Sequence, residues 1–219
     1  DPVAIAETRF LSTYIATRGH GVFREGQGGW EPINRGLKSR DVRALVASMP
    51  ARGDSSLYAG TFGGGVYVRR PDASFWAPMG RGLTERRVLS LVVEGESVYA
   101  GTAGGRLFRW DQEDAEPQWL AVGVPIPGGD VRGFAMTPES IYAATPAGAY
   151  VGPRDGKSWL PLHMSVHAAA VMASDGDQLY LGGDGGEVFR QDGDTWTYIL
   201  PESYYGFGRA MAAHGGTIY

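Results

Sequence analysis

The chain has 219 residues, 43% of them hydrophobic and 20% charged, with a formal net charge of −4. That balance belongs to an ordinary globular chain and argues against a nucleic-acid or anionic-membrane binder. The absence of Cys excludes disulfides, thiolate catalysis and Cys-ligated zinc or iron–sulfur centres, and no apolar run is long enough to cross a membrane as a helix.

Gly is abundant, at 34 residues, and the 13 Pro are spread along the chain, which favours many short elements joined by tight turns. From the N-terminal side onward, one pattern recurs. "TYIATRGHGVFR" (13–24) is followed by "LYAGTFGGGVYV" (57–68), "VYAGTAGGRLFR" (98–109), "IYAATPAGAYVG" (141–152) and "LYLGGDGGEVFR" (179–190). The marker tyrosines are Tyr14, Tyr58, Tyr99, Tyr142, Tyr180 and Tyr219, a period of ~40 residues. Upstream of each lies an apolar stretch: "VLSLVVEGESVY" (88–99), "VRGFAMTPESIY" (131–142), "AAVMASDGDQLY" (169–180) and "GRAMAAHGGTIY" (208–219) align without a gap. "VAIAETRFLSTY" (3–14) joins them, and "VRALVAS" (42–48) does so with a five-residue insertion. Downstream comes a tryptophan, Trp30, Trp76, Trp119, Trp159 or Trp196, twice with the same ending, "WEPINRGL" and "WAPMGRGL".

Each unit reads as four short strands: an apolar inner strand, the Tyr strand, the strand after the glycines and the Trp strand. The β-branched and aromatic content suits strands, and no stretch holds a helical period. Four strands per repeat of this length predict an all-β fold, a β-propeller of four-stranded blades. The glycine run falls between the second and third strands, where a tight hairpin needs positive φ. A phosphate loop would need Lys-Ser/Thr and a following helix, and neither is there. We expect one propeller domain over residues 1–219, with units at 3–41, 42–87, 88–130, 131–168, 169–207 and a partial unit at 208–219. Five full blades and a half blade leave an unpaired sheet edge, an aggregation hazard, so the expectation for the complete protein is six or seven blades.

"DGKSW" (155–159) and "DGDTW" (192–196), with the weaker "DASFW" (72–76) and "EGQGGW" (25–30), resemble degenerate Asp-box or BNR-type repeats. Such repeats build the propellers of sialidases, sortilin-type receptors and the photosystem II assembly factor. The resemblance implies the propeller fold for the whole chain and leaves function open. The box's own role is local: its Asp accepts turn N–H groups and its Trp packs between blades.

Candidate chemical groups divide as follows. The acidic pairs Glu94/Glu96, Asp175/Asp177 and Asp192/Asp194 fall at predicted turns and read as turn chemistry before calcium ligation. His163 and His167 have metal-like spacing but no third ligand nearby. Arg52–Gly53–Asp54 spells an adhesion tripeptide inside the insertion, a three-letter match that chance explains. Sialidase chemistry, as the resemblance implies it, needs an arginine triad, a Tyr activated by Glu and a separate acid. Glu202, Tyr204, Tyr205 and Arg209 in "PESYYGFGR" sit on one loop, whereas that family draws its site from several blades. We therefore single out no catalytic residue and expect no metal and no cofactor.

The strongest functional signal is positional. In a propeller the loops leading into the inner strands share a face with the glycine hairpins. "RGLKSRDVR" (35–43) and "RGLTERRV" (81–88) carry seven cationic residues against Asp41 and Glu85, an excess of five. The second inner-strand position reads Ala4, Arg43, Leu89, Arg132, Ala170 and Arg209. The expectation is a non-enzymatic scaffold or docking module, a peripheral subunit or assembly factor of a larger membrane-associated complex, bacterial and extracytoplasmic (periplasmic or secreted). Its partner would be a protein with an acidic surface, held by Arg35, Arg40, Arg81, Arg86 and Arg87, with Arg43, Arg132 and Arg209 at the channel mouth. No nucleic acid and no membrane insertion are expected. The alternative is a glycan-binding or sialidase-like propeller.

Overall fold

A computed structural model describes residues 2–8, 12–48, 54–112, 116–162, 169–175, 178–193, 195–199, 213–214 and 217–218. Among them are five four-stranded antiparallel sheets, each ordered as in the chain, and no helix. The first holds β1 (Pro2–Glu7), β2 (Thr13–Thr17), β3 (Gly21–Gly26) and β4 (Gly29–Pro32). The second holds β5 (Val42–Ala47), β6 (Leu57–Thr61), β7 (Gly65–Arg69) and β8 (Ala77–Met79). The third holds β9 (Val88–Glu94), β10 (Ser97–Thr102), β11 (Leu107–Asp111) and β12 (Gln118–Ala121). The fourth holds β13 (Gly133–Met136), β14 (Ser140–Thr145), β15 (Gly148–Pro153) and β16 (Leu160–Pro161). The fifth holds β17 (Ala169–Asp175), β18 (Gln178–Gly183), β19 (Val188–Asp192) and β20 (Thr195–Tyr198). In the sixth repeat β21 (Ala213–His214) pairs with β22 (Thr217–Ile218).

The register corrects the alignment of the first repeat. Tyr99, Tyr142 and Tyr180 pair with Val92, Ala135 and Ala173, each seven positions upstream, whereas Tyr14 pairs with Ala6, eight upstream. The first hairpin is one residue longer than its counterparts. The residue skipped by the ladder at the start of the inner strand is Val3, Arg43, Leu89 and Ala170 in the first, second, third and fifth sheets, so Val3 and not Ala4 stands where Arg43 stands. Such a bulge re-aims the side chain that it carries.

The chain forms two compact units, residues 1–103 with 107–121 and residues 104–106 with 122–219. In the first, the core lies between neighbouring sheets: Ala6, Ala16 and Val22 pack with Leu45, Ala59, Tyr67 and Trp76, and Ala44, Val66 and Met79 pack with Leu91, Ala100, Phe108 and Trp119. In the second, Ala135, Ala144 and Ala149 pack with Met172, Leu179, Leu181 and Phe189. Inner and Tyr strands that lie between two neighbouring sheets, as β5 and β6 do, read as continuous small and apolar runs instead of alternating ones.

In the first unit the tryptophans of the second and third sheets fasten each sheet to the one before. Trp76 donates its backbone N–H to the Arg35 carbonyl (2.8 Å) and its indole N–H to the Ile33 carbonyl (2.6 Å). Trp119 repeats this on Arg81 (2.9 Å) and Met79 (2.6 Å), and in the second unit the Trp159 indole donates to Val124 (3.1 Å). Trp76 and Trp119 are 1% and 2% exposed. The shared "RGL" supplies the acceptor carbonyl and then a glycine at positive φ, Gly36 at +95° and Gly82 at +77°. A Cβ on Gly82 would collide with the Trp119 carbonyl oxygen.

Gly82→Ala is expected to lose at least ~1–3 kcal/mol, from the left-handed conformation and the backbone collision together. Gly80→Ala, where a Cβ meets open space, should stay within about 0.5 kcal/mol of the parent. Urea unfolding of the two variants side by side tests this; equal losses would show that Trp119 does not constrain the segment.

Candidate functional site

The two lead-in segments, 34–41 and 80–87, meet the glycine hairpins through the backbone. In the β6–β7 hairpin, Gly63 and Gly65 take positive φ, and the Thr61 hydroxyl donates to the Gly65 carbonyl (2.9 Å). The Gly63 and Gly65 N–H groups both donate to the Arg86 carbonyl (3.0 Å each), and Phe62 N–H donates to the Asp41 carbonyl (2.8 Å). One sheet earlier, Gly19 and Gly21 donate to the Arg40 carbonyl (3.0 and 2.9 Å). Bridges Arg18↔Asp41 and Phe62↔Arg87 continue the seam. The hairpin amides are thus spent on neighbouring backbone, and both basic segments lie on one side of the first unit.

The side chains divide into paired and unpaired cations. Asp41 takes Arg43 in a forked pair (Nε 2.5 Å, Nη2 2.8 Å), and the Arg43 guanidinium lies 4.9 Å from the centroid of the Phe62 ring. Glu85 accepts from Arg87 Nε (3.1 Å), Nη2 (2.9 Å) and backbone N–H (2.8 Å). These hydrogen bonds from Arg87 hold the Glu85 carboxyl below the usual carboxylate range. Arg81 pairs with Glu116, which precedes the outer strand of the third sheet. Arg35, Lys38, Arg40 and Arg86 are exposed, and none has a carboxylate partner among the described residues.

This corrects the charge count made from sequence. Glu116, 35 residues downstream of Arg81, is carried to it by the stacking of the sheets, and the local excess falls from five to four. Arg132, in the second unit, donates to Asp184 (2.6 Å). Arg209, Glu202, Tyr204, Tyr205, His163, His167, Arg52 and Gly53 lie outside the described residues. Asp155 accepts the Lys157 N–H (3.1 Å) and pairs with the Lys157 ammonium (2.8 Å), so this carboxylate is engaged within its own turn. Among the described residues no three His, Asp or Glu side chains gather at metal-binding distance.

The residue that the sequence reading passed over is Phe62. It stands 39% exposed at the hairpin tip, with Asp41 and Arg87 bonded to its backbone or bridged to it. Ser39 Oγ donates to its carbonyl (3.4 Å). The signal was available: the same tip position holds Arg18, Ala103, Pro146 and Asp184 in the other sheets, so the second carries the one large apolar side chain among the five.

No protein-family model and no curated protein matches this chain. Solved structures do resemble it. It is similar to the WD40 repeats of RRP9 (TM-score 0.74, 12% identity, 98% of this chain and 70% of that one). It is similar to the extracellular domain assigned to a one-component system of B. thetaiotaomicron (TM-score 0.67, 16% identity, 92% of this chain), of which it spans only 28%. It also resembles an ancestral GH74 enzyme (TM-score 0.62, 16% identity, 86% of this chain and 29% of that one). At such identities the likeness is one of fold alone, and WD40 repeats are a propeller architecture. Enzymes and non-enzymes both stand among these neighbours.

The Glu85–Arg87 pair sets a pH expectation. Because the folded-state pKa of Glu85 is depressed, its contribution to stability is complete above the unfolded value of about 4.3 and is lost as pH falls through the folded value. Glu85→Gln should therefore cost a few tenths to about 1 kcal/mol near neutral pH and nothing in acid below the folded pKa. Denaturant midpoints across pH check this; a constant difference would mean that the pair does not couple to folding.

Proposed function

We propose that this protein is a non-enzymatic β-propeller docking module that holds an acidic protein surface as part of a larger, extracytoplasmic assembly. The observation that carries the reading is the group of exposed cations Arg35, Lys38, Arg40 and Arg86, without carboxylate partners among the described residues, on one side of the first unit in a chain of net charge −4. Arg43, Arg81 and Arg87, already held by carboxylates, are secondary members of that surface. A cluster of like charge in an acidic protein repels itself, and planar guanidinium groups suit forked contact with carboxylates, so an acidic partner relieves the repulsion.

Glu85, Asp155 and Asp192 are displaced downward, held by Arg87, by Lys157, and by Thr197 with Arg190, the behaviour of carboxylates engaged in local ion pairs and hydrogen bonds. The likeness in fold to an extracellular domain is compatible with the extracytoplasmic reading. We read the four-stranded sheets as propeller blades with degenerate Asp boxes. The rival reading, a propeller acting on glycans, draws on the likeness to a GH74 enzyme.

The test reverses Arg35, Arg40 and Arg86 to Glu together. Exposed contacts are worth roughly 0.2–1 kcal/mol each, so single reversals should weaken partner binding slightly and the triple variant strongly. Added salt should slow association before it speeds dissociation. Tagged protein recovered from its own cells should bring down a stoichiometric partner that the folded triple variant loses. A partner retained at full affinity by that variant, or turnover of a fluorogenic glycoside, would overturn the reading.

A further inference from the structure

The geometry points to Phe62 as an aromatic anchor for an acidic peptide segment that carries an apolar side chain among its carboxylates; this deepens the docking reading and rests on it. The ring is rigidly presented. Its backbone is pinned on the N–H side to Asp41 and on the carbonyl side to Ser39. The Arg43 guanidinium that stacks on the ring is itself clamped by both oxygens of Asp41. Little freedom remains to be lost when a ligand covers the exposed side, which is the condition for an energetically strong contact.

The surroundings define the ligand. The Asp41 side of the hairpin continues into exposed Lys38 and Arg40, and the opposite side is bounded by Arg86 and Arg87. Arg40 and Arg86 use their backbone carbonyls to hold glycine hairpins and leave their guanidinium groups without carboxylate partners among the described residues. An apolar group over Phe62 with carboxylates on both flanks satisfies ring and cations together. A purely acidic strand leaves the ring wet, and a purely apolar one leaves the cations unpaired. Single-stranded nucleic acid also combines rings with negative charge, but the protein's net charge of −4 opposes a polyanion that extends beyond the patch.

The experiment uses three short fluorescent peptides: a central leucine flanked by glutamates, the same peptide with a central alanine, and an all-glutamate peptide. A single-stranded oligothymidylate of similar length is the fourth probe. For the parent protein at low salt, the leucine peptide should bind about tenfold more tightly than the alanine peptide, as burial of one such side chain supports. Phe62→Ala, which removes an exposed ring and keeps the hairpin's backbone bonds, should erase that preference and leave binding of the all-glutamate peptide unchanged. Phe62→Leu should retain most of the preference. Arg40→Glu with Arg86→Glu should weaken all three peptides. Equal binding of the leucine and alanine peptides, with the arginine dependence intact, would overturn the anchor and leave the docking reading standing. Failure of every acidic peptide to bind would overturn both. Tighter binding of the oligothymidylate than of any peptide would overturn the choice of ligand class.

Discussion

The structure depends on a hydrogen-bonded fastening between the Trp strand of one sheet and the chain that leaves the sheet before it. Two donors, the backbone and the indole N–H of one tryptophan, find carbonyls on the preceding tail, and the ring fills the space between sheets. Buried indole N–H groups need partners, so the tail is held in one conformation, and a glycine must follow the acceptor where a side chain would strike the tryptophan. Trp30, without an indole partner of this kind among the described residues, is 46% exposed.

The lead-in segments inherit their place from that fastening. Each runs from the Trp strand of one sheet to the inner strand of the next, and on the way it offers carbonyls to the glycine hairpin beside it. Backbone of two neighbouring repeats is thereby zipped along one side of the first unit. A loop fixed at both edges displays its side chains with little conformational freedom, and this makes a row of surface arginines and one phenylalanine capable of selective contact.

Electrostatics then sorts the arginines. Those within reach of a carboxylate form forked pairs and serve the fold, as Arg43 does on Asp41 and Arg87 on Glu85. Arg40 and Arg86, whose backbone carbonyls hold the glycine hairpins, keep exposed side chains without a carboxylate partner among the described residues. Since structures of similar fold include enzymes and non-enzymes alike, function has to be argued from side chains and not from the fold.

Much of the fold was legible in the sequence because its information is local and repeated. Period, strand length, the glycine hairpins and the tryptophan each depend on a few neighbouring residues, and repetition raises them above chance. The five-residue insertion was equally plain, since Tyr58 pairs with Val46, twelve positions upstream. The extra residue in the first hairpin was not, because "VAIAETRFLSTY" aligns by composition and only the ladder shows that Ala6 is the partner of Tyr14.

The chain's residues also announced that two lead-in segments were rich in arginine, since that is a property of the string. Which of these arginines lack a carboxylate partner among the described residues was decided by tertiary structure alone. Arg81 meets Glu116 across 35 residues of chain, and Arg132 meets Asp184 across 52, and such pairs exist only after sheets have stacked. The exposure of Phe62 has the same origin. Its hairpin is written in the glycines beside it, but a ring at a hairpin tip becomes core or surface according to what the neighbouring repeat places above it. Here the neighbours supply backbone carbonyls and cations, and the ring is left facing water.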